Sequence, residues 1–230
     1  MQPYFLPYIG YWQLLNSVDT FVIYDDIKYT KRGWINRNRV IQPDGNIVNI
    51  SLPLKSGSDS ANINERFLAH DYAKQIQKTT RRLEAFYRKA TYFEDGIEVF
   101  LNATDFNSDN LFEALYWSVI NLKEVLGITT EIVRSSSLEP NSHLKGQDRV
   151  LNICNQLKAE KYINPPGGKS LYNQVDFNSK NIELSFLEPE ITNYQQYELD
   201  SFIPSLSILD VLMFNGVEKS HDMVKQWRLT

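Results

Sequence analysis

The chain has 230 residues, of which 42% are hydrophobic, and its 24 basic and 28 acidic residues give a formal net charge of −4. This balance argues against a protein that wraps nucleic acid or coats an anionic membrane, and the apolar content suffices for a buried core. The lone Cys154 excludes an internal disulfide and is typical of a chain in a reducing compartment.

Several elements are predicted in the first part of the chain. A tight turn around Gly10 leads into a short helix over residues 11–16, and residues 20–24 are typical of a buried strand. Residues 27–46 are rich in Lys, Arg, Asn and Gly and indicate a long loop or a hairpin. A further strand is predicted over residues 47–54.

Helical periodicity dominates the middle of the chain. It predicts an amphipathic helix over residues 71–89 and a second helix over residues 110–126, which Gly127 ends. Strands and helices then alternate, with a strand at 129–135, a helix at 147–157 and a strand at 161–164. This order predicts a β-α-β unit.

The remaining elements complete the predicted fold. A strand over residues 182–187 and an apolar segment over residues 206–214 close the chain. We expect an α/β fold with a Rossmann-like, mostly parallel sheet flanked by helices. Residues 1–230 are predicted as a single domain with a helical insertion at about 65–127.

The chain start and the apolar runs bear on location. The longest apolar runs fall far short of the roughly 20 residues that cross a bilayer. The opening Met1-Gln2-Pro3-Tyr4 offers neither the basic region nor the apolar core of a signal peptide. We therefore expect a cytoplasmic protein without a transmembrane segment.

The most unusual stretch, residues 2–12, contains two prolines, a glycine and five aromatic residues around the start of a predicted helix. Glycine allows close backbone approach to a ligand, and a helix N-terminus attracts phosphate or carboxylate. The alternative is an aromatic plug beneath a tight turn. On the first interpretation, the substrate-binding candidates are Gln2, Tyr8, Gly10 and Tyr11.

Asp25 and Asp26 follow directly after the predicted buried strand. Ligands of open α/β sheets bind at this end of a strand, so the pair is a candidate for catalysis as a general base or for binding an amine, a ribose or a divalent cation. Alternatively, both carboxylates only accept hydrogen bonds from loop amides. Because Lys31 and Arg37 follow closely, a zwitterionic or phosphorylated ligand fits, and we assign no metal ligand.

Residues 34–39 interleave an aromatic side chain with amides and guanidinium groups. Such a pattern is found on nucleotide-binding and RNA-binding surfaces, and equally on an exposed, solvated hairpin. Trp34, Arg37 and Asn38 are the substrate-binding candidates here.

A glycine turn with a lysine, residues 166–170, follows the predicted strand at 161–164. It is not a Walker A loop, since that motif needs glycine where Ile163 stands. Gly168 and Lys169 are nevertheless candidates for anion binding through backbone amides and charge, with a plain connector as the alternative.

The three histidines are far apart in sequence and match no zinc motif. His143, close to Lys145 and Arg149, is the catalytic candidate among them, although a surface histidine is the commoner outcome. Cys154 lies among apolar residues of a predicted helix, which indicates a buried and unreactive thiol.

Taken together, several blocks resemble the WbqC-like family, and they cover nearly the whole chain. These blocks are residues 1–12, Asp25-Asp26, residues 33–38, Tyr162, Gly167-Gly168, Tyr172, residues 202–210 and Asn215-Gly216. The resemblance adds Tyr172 to the substrate-binding candidates. It implies a role in bacterial O-antigen or capsule biosynthesis, often with unusual amino sugars.

From these residues and the resemblance, we expect a transferase that moves an acyl or aminoacyl group onto a nucleotide-linked amino sugar. In such a reaction a carboxylate holds or deprotonates the amine. The alternative is a non-catalytic protein of the same pathway that binds a nucleotide-sugar or a glycan. The expected partners are a small-molecule nucleotide-sugar and an acyl or aminoacyl carrier, without stable nucleic acid, and the sequence assigns no cofactor.

Overall fold

The computed structural model describes residues 1–58 and 60–230. The α-helices in these residues are α1 (Ile9–Asn16), α2 (Tyr72–Tyr87), α3 (Phe93–Thr104), α4 (Leu111–Val125), α5 (Gly146–Gln156), α6 (Gln174–Asn178) and α7 (Ile208–Met223). The strands are β1 (Thr20–Ile23), β2 (Arg37–Ile41), β3 (Ile47–Ser51), β4 (Glu131–Arg134), β5 (Lys161–Asn164), β6 (Glu183–Pro189) and β7 (Trp227–Leu229). Short 3₁₀ helices lie at Ile63–Glu65, Ser135–Ser137 and Pro166–Leu171.

Pairing divides the described strands into three small sheets. β1 pairs in parallel with β4, with Thr20 opposite Glu131, and β2 pairs with β3 as an antiparallel hairpin. β5 pairs in parallel with β6, whose other edge carries the antiparallel β7. The chain is therefore a mixed α/β protein with two separate parallel pairs.

This pairing modifies the predicted architecture. A Rossmann-like sheet is not confirmed, because the described strands do not join into one ladder. The predicted β-α-β unit does not form a paired unit either, since β4 pairs with β1 while β5 pairs with β6. Residues 27–46, predicted as a long loop or a hairpin, contain only strand β2, which pairs with β3 inside the strand predicted over residues 47–54.

The three middle helices share the main core with the sheets. In α2 the predicted periodicity is confirmed, because Ile76 and Leu83 are buried while Lys74 and Arg81 face solvent. The largest apolar cluster contains residues from Phe5 to Val224, including the buried faces of α2, α3 and α4. Within the described ranges, no helix combines the length and apolarity needed to cross a membrane.

A buried carboxylate joins the end of α2 to the start of α7. Asp210 is fully buried and accepts hydrogen bonds from the hydroxyls of Tyr87 and Tyr194 and from the side-chain amide of Gln196, each at 2.7 Å. Burial raises the pKa of Asp210, although these three bonds oppose the shift. Through these bonds the start of α7 is tied to the last residue of α2 and to residues 194–196.

The N-terminal segment lies between β1 and β2. The carbonyl of Met1 accepts a hydrogen bond from the amide of Tyr24 at 2.9 Å, and the amide of Phe5 donates to the carbonyl of Ile35 at 2.9 Å. Through these two bonds the segment links the residue after β1 to a residue two positions before β2. The segment thus connects two of the predicted site regions.

Candidate functional site

The Asp25 side chain is held by the serine turn that follows β4. It is 5% exposed and accepts hydrogen bonds from the Ser135 hydroxyl at 2.8 Å and from the Ser136 backbone amide at 3.0 Å. The Ser136 hydroxyl donates to its second oxygen. Because β1 and β4 are parallel, their carboxyl ends bring these residues together from positions about 110 apart in the chain.

Asp26 is bound to the same turn and to α5. One Asp26 oxygen accepts a bond from the Ser135 hydroxyl at 2.7 Å, and the Arg149 guanidinium lies 2.7 Å from both oxygens. Burial favours the neutral acid, but the bonds from Arg149 and Ser135 outweigh it, so the pKa of Asp26 is lowered. Arg149 in turn donates to the side-chain oxygen of Asn141 at 2.8 Å.

Aromatic hydroxyls border this carboxylate cluster. The Arg149 guanidinium lies 4.8 Å from the ring centroid of Tyr24. Burial raises the pKa of Tyr24 to about 12; nearby Arg149 opposes this shift, and nearby Tyr172 and Asp26 add to it. The hydroxyls of Tyr172 and Tyr162 are 3.2 Å apart. The substrate-binding candidate Tyr172 therefore lies near Tyr24, and its hydroxyl contacts that of Tyr162.

Trp34 forms an exposed aromatic platform flanked by cations. It is 42% exposed, and the guanidinium carbons of Arg37 and Arg39 lie 5.7 and 5.2 Å from its ring centroid. Arg37 is fixed by bonds to the carbonyls of Gly33 at 2.9 Å and Arg32 at 2.6 Å. An aromatic face with guanidinium neighbours is suited to stacking a nucleobase.

A basic cleft of about 580 Å³ is lined by Lys28, Tyr29, Thr30, Lys31 and Arg32. In the sequence, these residues lie between the two aspartates and Trp34. Three of these side chains are cationic, which suits a phosphate or diphosphate group. The lining includes Lys31, which is one of the predicted substrate-binding residues. Neither aspartate nor Trp34 is among the lining residues.

The N-terminal tyrosines pack on one another. A side chain at Gly10 would begin 2.5 Å from the ring of Tyr8, so contact with Tyr8 by itself accounts for the glycine. The Tyr4 hydroxyl donates to the Gln2 side-chain oxygen at 3.3 Å. Tyr11 is buried, with its ring 5.8 Å from that of Tyr4. The aromatic-plug interpretation fits Tyr11, whereas Gln2 and Tyr8 are partly exposed.

Other predicted site residues have structural partners. The Asn38 side-chain amide donates to the carbonyls of Phe5 at 3.1 Å and Leu6 at 2.7 Å, which fixes the N-terminal segment. Lys169 forms an exposed ion pair with Glu188 at 2.9 Å.

The glycine turn is a 3₁₀ helix over Pro166–Leu171. A side chain at Gly168 would begin 2.0 Å from the Asn164 amide nitrogen. The roles predicted for this turn remain predictions, now with a packing reason for Gly168.

The catalytic role of His143 stays a prediction. His143 is exposed in the turn before α5, and its side chain makes none of the hydrogen bonds that Asp25 and Asp26 receive from the described residues. Cys154 is buried, as predicted, and burial raises its thiol pKa to about 11. Residues 1–58 and 60–230 contain no group of three His, Cys, Asp or Glu side chains arranged to hold a metal ion.

Sequence reasoning missed the partners of the aspartates, Ser135, Ser136 and Arg149, and also Asn141, which holds Arg149. The available signal was position, because Ser135 ends the strand predicted at 129–135, Ser136 follows it, and both therefore lie at a carboxyl end. Arg149 gave no signal, since an arginine in an amphipathic helix is usually solvated.

Fold and site together define a mixed α/β protein with a serine–carboxylate–arginine cluster at the carboxyl ends of a parallel strand pair. The chain belongs to the WbqC-like protein family, whose sequence model matches residues 2–222. It is 30% identical over 226 residues to the uncharacterized protein Rv1507c of Mycobacterium tuberculosis, covering 95% of this chain and 93% of that protein. No solved structure matches the chain.

Proposed function

We propose that this protein is a transferase of bacterial surface-polysaccharide biosynthesis that moves an acyl or aminoacyl group onto a nucleotide-linked amino sugar. The chain belongs to the WbqC-like family. The resemblance to this family implies surface-polysaccharide biosynthesis, and this supports the proposed pathway. The proposal places the protein in the cytoplasm. It treats residues 1–230 as one domain whose two parallel strand pairs are arranged as in a Rossmann-like fold.

The observation that carries the proposal is the cluster formed by Asp25, Asp26, Ser135, Ser136 and Arg149. Two carboxylates share the Ser135 hydroxyl, and Arg149 compensates the charge of Asp26. In this arrangement the Asp25 carboxyl group accepts a hydrogen bond from the hydroxyl of the exposed residue Ser136, where an amine of the acceptor sugar can be bound and deprotonated.

The nucleotide part of the acceptor is assigned to the neighbouring basic surface. Trp34 offers an exposed face for the base, and Lys28, Lys31 and Arg32 line the cleft for the diphosphate. The N-terminal segment, with Gln2 partly exposed, is hydrogen-bonded to Tyr24 after β1 and to Ile35 before β2. The proposal places one extended nucleotide-sugar across both regions.

The overall step is an amide-forming transfer. The sugar amine attacks the carbonyl carbon of an acyl thioester or aminoacyl ester, a C–N bond forms, and the bond to sulfur or oxygen breaks. The proton of the amine passes to the carboxylate and then to the leaving thiolate or alkoxide.

A second function is favoured by one observation. Every Asp25 and Asp26 oxygen already accepts at least one bond from the protein, and His143 lies outside the cluster. A protein that only binds a nucleotide-sugar or glycan would need no free base, so the non-catalytic alternative is retained.

Mass spectrometry separates the two functions. The protein is incubated with UDP-linked amino sugars and a panel of acyl thioesters and aminoacyl-tRNAs, and the sugar products are weighed. Transfer predicts an acylated sugar that Asp25→Asn abolishes, with the exposed Asp44→Asn as matched control. Calorimetric binding without product from any donor would refute the transferase and support the binding protein, and the absence of both would refute each.

A further inference from the structure

We propose that Ser136 is a nucleophile activated by Asp25, and that in the transfer proposed above it receives the acyl group before the sugar does. The role of Ser136 in transfer rests on the proposed function. The reactivity of its hydroxyl is inferred from the geometry. It assigns a covalent step to a residue that lies in no catalytic sequence motif.

The Ser136 hydroxyl is hydrogen-bonded to the Asp25 carboxyl group, which is its proposed general base. Ser136 is exposed on the 3₁₀ turn after β4, whereas Asp25 beneath it is almost fully buried. Ser136 contacts both carboxylate oxygens, one through its hydroxyl and the other through its backbone amide at 3.0 Å. These two bonds from one residue fix the carboxylate plane against the hydroxyl.

The cation of the cluster pairs with the other carboxyl group. Arg149 forms its ion pair with Asp26 and not with Asp25. Among the described residues, the groups that donate to the Asp25 side chain are Ser135 and Ser136, which are neutral. The Ser136 hydroxyl therefore donates to a carboxyl group that forms no ion pair with Arg149.

A second feature of the same cluster is typical of a site for a polar ligand. Asn141, which is 3% exposed, uses its side-chain oxygen to hold Arg149. Its amide nitrogen is buried and has no hydrogen-bond partner in the part of the chain that the structure describes. Unpaired buried donors are rare and often occur at functional sites, so this cluster differs from an ordinary structural ion pair.

The proposed step balances in two halves. The Ser136 oxygen attacks the carbonyl carbon of an acyl thioester, an O–C bond forms, the C–S bond breaks, and the serine proton passes through Asp25 to the thiolate. The sugar amine then attacks the serine ester, a C–N bond forms and the O–C bond breaks. The amine proton returns through Asp25 to the Ser136 oxygen.

A fluorophosphonate tests the pair without any knowledge of donor or acceptor. This probe phosphonylates an activated serine with loss of fluoride, and peptide mass spectrometry locates the adduct. We expect an adduct on Ser136 in the wild-type protein and none there in Ser136→Ala. Asp25→Asn should slow labelling at least about 100-fold, the lower range for removal of a general base.

The neighbouring serine provides the matched control. Ser137 is exposed on the same turn, but its hydroxyl donates to the Arg134 carbonyl at 2.8 Å and contacts no carboxylate. Ser137→Ala should be labelled at the wild-type rate. An unlabelled wild-type protein, or equal labelling of the wild-type protein and Ser136→Ala, would overturn the inference.

The outcomes also separate this inference from the proposed function. If Ser136→Ala makes the acylated sugar at the wild-type rate, the covalent step is wrong and the transferase stands. If Ser136 is labelled but no sugar product forms with any donor, the activated serine stands and the transfer onto sugars fails. Circular dichroism of each variant identifies any loss of labelling that is caused by unfolding.

Discussion

Arg149 donates to both carboxylate oxygens of Asp26 at 2.7 Å, across 123 positions of the chain. The guanidinium is mostly buried and also holds Asn141 and covers the ring of Tyr24. This one side chain therefore fastens α5 to the carboxyl end of β1.

Removal of this guanidinium should destabilise the protein. Arg149→Met leaves Asp26 without its cation. We expect the free energy of unfolding to fall by up to about 3 kcal/mol, because the remaining carboxylate would be largely buried without a partner of opposite charge. Urea unfolding measures the change. The control is Arg228→Met, whose ion pair with Glu190 is exposed and should contribute about 1 kcal/mol or less. Equal losses in the two variants would contradict the structural role of Arg149.

Acid should weaken the fold through Asp26. Its pKa is lower in the folded protein than in the unfolded chain, so its contribution is present above the ordinary aspartate pKa of about 3.9. That contribution is lost as the pH falls through the lowered pKa. Urea unfolding between about pH 5 and 2 should show a smaller loss of stability in Asp26→Asn than in the wild-type protein. Parallel curves would show that Asp26 has no lowered pKa.

Asp210 should act in the opposite direction. Burial raises its pKa, so the folded state holds the proton more tightly than the unfolded chain does. The stability that this provides is complete below about pH 3.9 and is lost as the pH rises through the raised pKa. The free-energy difference between the wild-type protein and Asp210→Asn, from urea unfolding, should therefore fall with rising pH in this window. A difference that rises instead would mean that the bonds from Tyr87, Tyr194 and Gln196 outweigh burial.

Local elements were readable from the sequence because they depend on short-range patterns. The 3.6-residue period located α2, and Gly127, at φ +63°, ends α4 as predicted. The pairing of the strands could not be predicted from the sequence, since β1 pairs with β4 and the helical region lies between them in the chain. Nothing local in residues 20–24 specifies which parallel strand will lie beside them.

The site divides in the same way. Asp25 and Asp26 were identified by their place after a strand, and that position did bring them to a polar cluster. Their partners Ser135 and Arg149 are distant in sequence and of unremarkable residue types. His143 was chosen for its chemistry, yet the turn before α5 leaves it in solvent.

Trp34 should matter for binding and little for folding. Trp34→Ala removes an exposed ring, and if a base stacks there, the affinity for a UDP-linked amino sugar should fall by about 1–3 kcal/mol. Calorimetry measures the affinity and thermal unfolding the stability. Trp117, which is 44% exposed on α4, is the control, and Trp117→Ala should bind as the wild-type protein does. If both variants bind equally well, Trp34 is not the platform.

The two neighbouring glycines of the Pro166–Leu171 turn should respond differently to a methyl group. At Gly168 the added carbon would lie 2.0 Å from the Asn164 amide nitrogen, a distance that forces either residue to move. We expect Gly168→Ala to cost about 1–3 kcal/mol of unfolding free energy, the usual range for overpacking. At Gly167 the carbon would meet nothing within 4 Å, so Gly167→Ala should stay within about 0.5 kcal/mol of the wild-type protein. If urea unfolding shows no loss for Gly168→Ala while calorimetry shows weaker binding of the nucleotide-sugar, Gly168 serves the ligand directly, as its sequence context predicts.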